Sequence, residues 1–397
     1  MAGSESFGEM LRRLRRDAGL SQTTLAGLVN YHPSQISKIE NGAELPSRVF
    51  AEACDAALRA EGALAALIPV KADTLPVDPT VATELVRRLR LSDVDQETLD
   101  VLASTTDRLC EQYPYRNATS LRREAGSWLR YLSRLLDRRV GLREHRELLV
   151  TAGWLALLVG CVEYDSGLST AAEATRVSAF QLGTEAGHAD IMAWSLEMAA
   201  WFAHTTHDMA GTLVSAEAGQ RVAARSGVTV QLAAHRARAL ARMGDHRGVQ
   251  QALDEGHALL QRFDRPVNPR HHFVVDPDKF DFYAMDCYRV VGDNDRATVH
   301  AQEVLRRGRG PDGEDLAPMR MAEARIALGC VAARNGDLDE AVDHGTRAFG
   351  GERKCLPSLL HVAGELDAQI HDRYADAPQA KEFHERLRTV RSAEPTR

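Results

Sequence analysis

Apolar side chains recur at intervals of three and four along nearly the whole chain, which is the helical period. Alternation in twos, the mark of strands, is scarce, so the pattern predicts an all-α protein. From 7 to about 60 the apolar clusters are short. Phe7, Met10, Leu11, Leu14 and Ala18 share one face of a first helix that Gly19 ends. Ser21 is placed to cap a second helix, with Leu25, Leu28 and Val29 facing inward. Asn30-Tyr31-His32 breaks the pattern, and Pro33 suits the first turn of a third helix, where its missing N–H costs little. Ile36 and Ile39 fall on the inward side of that helix, leaving Pro33, Ser34, Ser37 and Lys38 on the other, and Gly42 ends it. Val49, Phe50, Ala53 and Ala57 give a fourth helix its apolar face.

Beyond this region the pattern predicts a linker and two further helical regions. "PVKADTLPVDPT" (69–80) holds three prolines in 12 residues and reads as a linker after a domain of residues 1–68. Residues 81–145 read as a helical connecting region. Its most amphipathic stretch, "LRREAGSWLRYLSRLLDRR" (121–139), suits either a dimer contact or packing onto the first repeat. Residues 146–397 repeat one plan. "ALARMGDHRGV" (239–249), "CYRVVGDNDRA" (287–297) and "CVAARNGDLDEA" (330–341) each place an apolar helix end before Gly-Asp and a second helix. "WFAHTTHDMAGT" (201–212) fits more weakly, and "CVEYDSGLSTAA" (161–172) is an earlier instance of the plan. Gly ends one helix in the left-handed region, and Asp caps the next. Such units resemble tetratricopeptide repeats, somewhat stretched, and the resemblance implies an α-superhelix with a concave inner face.

Charge and composition narrow the function. The net charge of −7 argues against a protein coated in nucleic acid, yet residues 12–16 hold four arginines. Local placement steers DNA contact better than the total does. Beyond residue 150 the acidic side chains number 35 against 28 basic, which suits a basic peptide or simply a solvated surface. The six cysteines lie far apart with no Cys-x-x-Cys, so neither zinc nor a disulfide framework is expected. No run of 18 apolar residues occurs, and Met1 to Leu11 lacks the order of a signal peptide. A cytoplasmic location without membrane contact is expected. "GRGPDG" (308–313) matches Gly-x-Gly-x-x-Gly but follows a helix and reads as a loop. No motif points to catalysis, and no catalytic residue, metal or cofactor is expected.

Leu20-Ser21-Gln22, Leu25-Ala26, Ile36-Ser37-Lys38-Ile39-Glu40 and Asn41-Gly42 together resemble the phage-repressor/Cro type of helix-turn-helix, the XRE family. The resemblance covers roughly residues 7–60. It implies a five-helix, lambda-repressor-like domain that binds a double-stranded DNA operator. By the same resemblance Gln22 contacts a phosphate at the start of the second helix, and Asn41 holds the other flank. Ser34 and Lys38 reach base edges in the major groove, with Pro33 and Ser37 in contact range, and Arg15 pairs with Glu40 as a structural tie. Asn30 stands where the family often has Gly, and Asn tolerates a positive φ. His32 stands where the family usually has Ser or Thr, which predicts a weaker cap for the third helix. Paired modules on a two-fold site bind usefully, so a homodimer on an inverted repeat is expected.

The architecture resembles cytoplasmic pheromone-sensing regulators, and the Ala-, Arg- and Gly-rich composition resembles their high-GC actinobacterial members. This implies a peptide or small-molecule effector. The segment 265–289, "RPVNPRHHFVVDPDKFDFYAMDCYR", breaks the repeat rhythm with three prolines and gathers cationic and aromatic groups. Arg270, His271, His272, Asp276, Lys279, Tyr283 and Arg289 are its candidate effector contacts; the alternative is a rigid loop pinned by its own aromatics. His204 and His207, beside Trp194 and Trp201, have a spacing that suits a metal but no third ligand, so packing is expected there. Two functions follow: an effector-controlled transcriptional regulator, or an adaptor whose repeats hold a protein partner.

Overall fold

The computed structural model describes residues 5–68, 92–264, 266–275 and 277–392. The expected linker 69–80, the first part of the connecting region and Asp276 lie outside the described residues. The chain divides into two compact units, residues 1–84 and 85–397.

The first unit holds α1 (Phe7–Asp17), α2 (Gln22–Val29), α3 (Pro33–Glu40) and α4 (Arg48–Leu58). Side chains start each one. Ser6 and Glu9 form a reciprocal capping box, and Ser21 and Ser47 accept from Thr24 and Phe50 N–H. The turn between α2 and α3 passes through Asn30 at φ 58°, as its side chain permits. His32 does cap α3: its Nδ1 accepts from Ser34 N–H at 3.3 Å. The expected fifth helix is, among the described residues, a single 3-10 turn, Ala65–Leu67. Asp55 holds it by accepting from Leu64 N–H at 3.0 Å and Ala65 N–H at 2.9 Å. Leu11, Leu25, Ile36, Phe50, Ala51, Cys54 and Leu64 fill the core. Three apolar residues expected inside are outside: Ala18, the C-cap just past α1, is exposed, as are Leu28 and Val49. Leu28 is 60% exposed, because α2 buries Leu25, Ala26 and Val29, a stripe it does not share. Val49 is 70% exposed, because α4 turns Phe50, Ala51 and Cys54 inward. Gly8 lets α1 and α3 touch: a Cβ there would lie 2.5 Å from the Ile39 carbonyl oxygen.

In the second unit, α5 (Gln96–Gln112) and α6 (Ala118–Leu136) pack on α7 (Leu142–Asp165). From α7 onward the helices form hairpins: α7 with α8 (Ser169–Glu185), α9 (Ala189–Thr205) with α10 (Met209–Val222), and α11 (Val228–Arg242) with α12 (His246–Leu260). α13 (Pro277–Val291) pairs with α14 (Asn294–Arg307), α15 (Pro318–Asn335) with α16 (Leu338–Ala348), and α17 (Leu356–Tyr374) with α18 (Pro378–Ser392). This is a helical repeat region; the described residues hold only an isolated bridge, Arg309–Asp315, in place of strands. The Gly-Asp turns work as the residue types require. Gly244, Gly292 and Gly336 have φ of 78°, 85° and 96°, and Asp245, Asp293 and Asp337 cap the following helices. In the weaker repeat His207 takes the left-handed position at φ 63°, and Asp208 caps. Ala297 and Ala341, just past two of these caps, are wholly buried where helices cross.

The odd-numbered helices from α7 to α17 line the inside of the stack, and the stack curls until α17 meets α7 and α9. Trp201 Nε1 donates to Ser358 Oγ at 2.8 Å across this closure, and Arg353 Nη2 reaches Asp165 Oδ2 at 2.5 Å. α7 is long and apolar enough to cross a membrane by composition, with mean hydropathy 1.5, but 72% of that stretch is buried inside the repeats. A helix apolar all round is the expected core of such a stack.

Candidate functional site

Two sites emerge, one in each unit. In the first, α3 buries Ile36 and Ile39 and turns Ser34 and Lys38 to solvent, with Pro33 and Ser37 half-buried beside them. The Lys38 side chain makes no hydrogen bond or ion pair among the described residues. Ser34 Oγ lies 2.8 Å from His32 Nδ1.

Behind this face sits a buried carboxylate, Glu40. Arg15 grips it with Nε at 2.6 Å and Nη2 at 2.9 Å, and the Gln22 amide donates to it at 2.8 Å. Burial alone would raise the Glu40 carboxyl, but the Arg15 and Gln22 hydrogen bonds outweigh it and hold it below the usual range. Arg15 is the expected tie. Gln22 differs from expectation, since its side-chain donor faces inward to Glu40 rather than outward to a phosphate. What α2 offers outward is main chain: the N–H groups of Gln22 and Thr23 have no acceptor within the helix. Asn41 is exposed, and its side-chain oxygen accepts from Arg12.

The second site is a cavity of about 1080 Å³ inside the repeat region. Of the residues singled out in 265–289, Arg270, His271, His272, Lys279 and Tyr283 line it. Arg289 does not; it is 2% exposed, and its Nη2 bonds Asp286 at 2.6 Å and Glu365 at 2.5 Å. Lys279 donates to the carbonyls of His272 and Val274, so it pins the loop. His272 packs against Tyr113 with ring centroids 3.8 Å apart and the planes tilted by 35°, and burial drives its pKa well below the usual value. His271 Nε2 lies 3.6 Å from Asp107. Arg270 stays exposed at the rim.

The inner helices add groups that sequence reasoning missed. Asp165 on α7, Glu197 on α9, Gln231 and His235 on α11, and Glu323 on α15 all line the cavity and are all buried. Glu197 Oε1 accepts from Gln231 Nε2 at 2.5 Å and sits 2.8 Å from His235 Nε2. Glu323 makes no hydrogen bond or ion pair among the described residues. Burial pushes its carboxyl up to about 7, against the opposing pull of Arg238. Glu323 sits within an apolar helical stretch, Met321-Ala322-Glu323-Ala324, and that mismatch was the available signal for it.

Beneath the cavity wall lies a charge network. Asp286 receives Arg238 Nε at 2.7 Å and Arg242 Nη1 at 2.9 Å, and Glu365 receives Arg242 Nε at 3.1 Å. Burial works against the Asp286 charge, but Arg242, Arg238 and Arg289 keep it ionised, well below the ordinary carboxyl value. This network ties α11, α13 and α17 together. His204 is fully buried beside it, and its ring lies 5.2 Å from that of His361, which is also 4.5 Å from His207. Among the described residues no group of three or more His, Cys, Asp or Glu could hold a metal. All six cysteines are buried and unpaired.

Residues 6–68 match the family model of a helix-turn-helix domain, and the N-terminal unit is such a domain. No protein of curated function matches the chain. Among solved structures, the crystal structure of Bacillus thuringiensis PlcR in complex with the peptide PapR7 and DNA matches over 92% of this chain and 99% of that one. The two are 12% identical, with a TM-score of 0.30.

Proposed function

We propose that the chain is a cytoplasmic, sequence-specific DNA-binding transcriptional regulator of the XRE type. It acts as a homodimer on an inverted repeat and is controlled by an effector held in its tetratricopeptide-like repeats. The observation that carries the reading is α3 of the helix-turn-helix domain. Ile36 and Ile39 anchor one side, and the other presents Ser34 and Lys38 to solvent, the Lys38 side chain unpaired among the described residues. A short helix so divided fits the major groove, where Lys38 meets guanine O6 or N7. The free N–H groups at the start of α2 meet a phosphate. Half-site spacing is rigid, so an effector that favours one arrangement of the two modules switches binding.

The test is duplex binding by the full-length protein against selected sequences over a range of salt. Lys38→Ala relaxes preference at one position, at a cost of about 1–3 kcal/mol there. Gln22→Ala loosens the Glu40 lock behind α3 and weakens all sequences alike. A full-length protein that binds no duplex, yet captures one stoichiometric protein, would favour the adaptor reading instead.

A further inference from the structure

We propose that the floor of the repeat cavity recognises a cation: an ammonium or guanidinium group carried on an apolar or aromatic body. The inference rests on the reading of the repeats as an effector domain and names the chemistry of what they take.

The floor has more acceptors than donors. Asp165 is 1% exposed; its Oδ2 takes Arg353, and its Oδ1 has no donor. Gln231 gives its amide to Glu197, and its own Oε1 is left without a partner. His235 Nδ1 is likewise unpartnered, and it is an acceptor if Nε2 donates to Glu197. Glu323 is 7% exposed and has neither hydrogen bond nor ion pair among the described residues. These groups sit on three inner helices, α7, α11 and α15, and line one cavity.

Buried acceptors without donors cost free energy. Arg238, Arg270, Lys279, Arg306, Arg307 and Arg320 also line the cavity, but none of them bonds these four acceptors among the described residues. Arg238 bonds Asp286, and Arg353 has already taken Asp165 Oδ2. What the site lacks is a group made only of donors with a positive charge, which is an ammonium or guanidinium. The walls agree. Trp201 lines the same cavity, and an aromatic face favours a cation, as Arg238 over Phe282 and Tyr283 and Arg353 over Tyr113 already show in this wall. The volume suits a ligand of drug size.

Glu323 adds a proton linkage. Its carboxyl is held at about 7 by burial, with Arg238, Asp286, Arg289 and Arg242 as the charges that act on it. A cation beside it favours the ionised form, so binding releases a proton near neutral pH and strengthens as pH rises through 7.

The test uses full-length protein and three probes of one shape: 2-phenylethylamine, 2-phenylethanol and phenylacetate. Titration is followed by calorimetry in buffers of different ionisation heat. The amine is expected to bind about 10-fold or more tighter than the alcohol, with proton release. Glu323→Gln, which has no partner to lose among the described residues, is expected to abolish most of that preference and leave the alcohol unchanged. Asp165→Asn, which keeps the acceptor toward Arg353, is the second variant and lowers the preference less. Equal affinity for amine and alcohol, a preference intact in Glu323→Gln, or no binding of any probe at about 10 mM overturns the inference. A preference for phenylacetate also overturns it, yet leaves the effector reading standing. Duplex binding by the same preparations reports on the regulator separately.

Discussion

Glu40 in the helix-turn-helix domain and Glu323 in the repeats are both buried carboxyls, 4% and 7% exposed, and they are treated in opposite ways. Glu40 has a donor for each oxygen, and its pKa falls. Glu323 has none among the described residues, and its pKa rises to about 7. Burial penalises both charges; only the supply of donors differs. A carboxylate satisfied from within holds a fold together. One left open on a cavity wall is a cost that a ligand can offset.

The largest expected effect breaks the satisfied case. Glu40→Ala strands the Arg15 guanidinium and removes the acceptor of Gln22, with an expected loss of about 4 kcal/mol. Urea unfolding of the full-length protein, read on the transition of the N-terminal unit, measures it. The wild-type contribution has a definite pH sense. The folded pKa of Glu40 is depressed, so its stabilisation is present above the ordinary carboxyl value of 4.5 and is lost as pH falls through the folded one. A loss under 1 kcal/mol would show that the Arg15–Glu40 pair does not hold α3 against α1.

The open case runs the other way. Glu323 has a folded pKa near 7 against an ordinary value of 4.5. The folded chain therefore binds the extra proton between those values, and stability falls as pH rises through the window. Glu323→Gln is expected to raise the stability of the repeat unit at pH 8 by up to about 3 kcal/mol, with the gain fading below pH 5. Thermal unfolding at the two pH values reads this. A variant less stable than wild type at pH 8 would mean that the carboxylate has a partner after all, and the contrast with Glu40 would fail.

The two regions were also unequally legible. In the N-terminal unit the determinants are local: caps, a left-handed Asn30, a Pro at the head of α3 and an inward Ile36–Ile39 pair all lie within a few residues of what they control. The Arg15–Glu40 tie came with the family resemblance. The Gly-Asp turns of the repeats were readable for the same reason. Leu28 and Val49 were misplaced because period alone does not say which side of a short helix meets its neighbours. Of the cavity floor only single polar residues in apolar stretches, such as Glu323, were legible, and not their convergence. Asp165, Glu197, Gln231 and Glu323 come from four helices that only tertiary packing brings around one cavity. The cationic loop stood out by composition, yet Lys279 proved to pin its own backbone and Arg289 to serve the Asp286 network.

His32 supplies the smallest test and the finest distinction. Its ring does what Ser or Thr usually does at the start of a helix, accepting from Ser34 N–H while also touching Ser34 Oγ. The contact is exposed and long, so its worth is that of a modest cap. His32→Ala is expected to cost about 0.5–1 kcal/mol in the N-terminal transition, several times less than Glu40→Ala. His32→Ser is expected to recover most of it, because a hydroxyl reaches the same N–H. If His32→Ser is as damaging as His32→Ala, the ring contributes by packing rather than by capping. The head of α3 would then be set by Pro33 and the Asn30 turn alone.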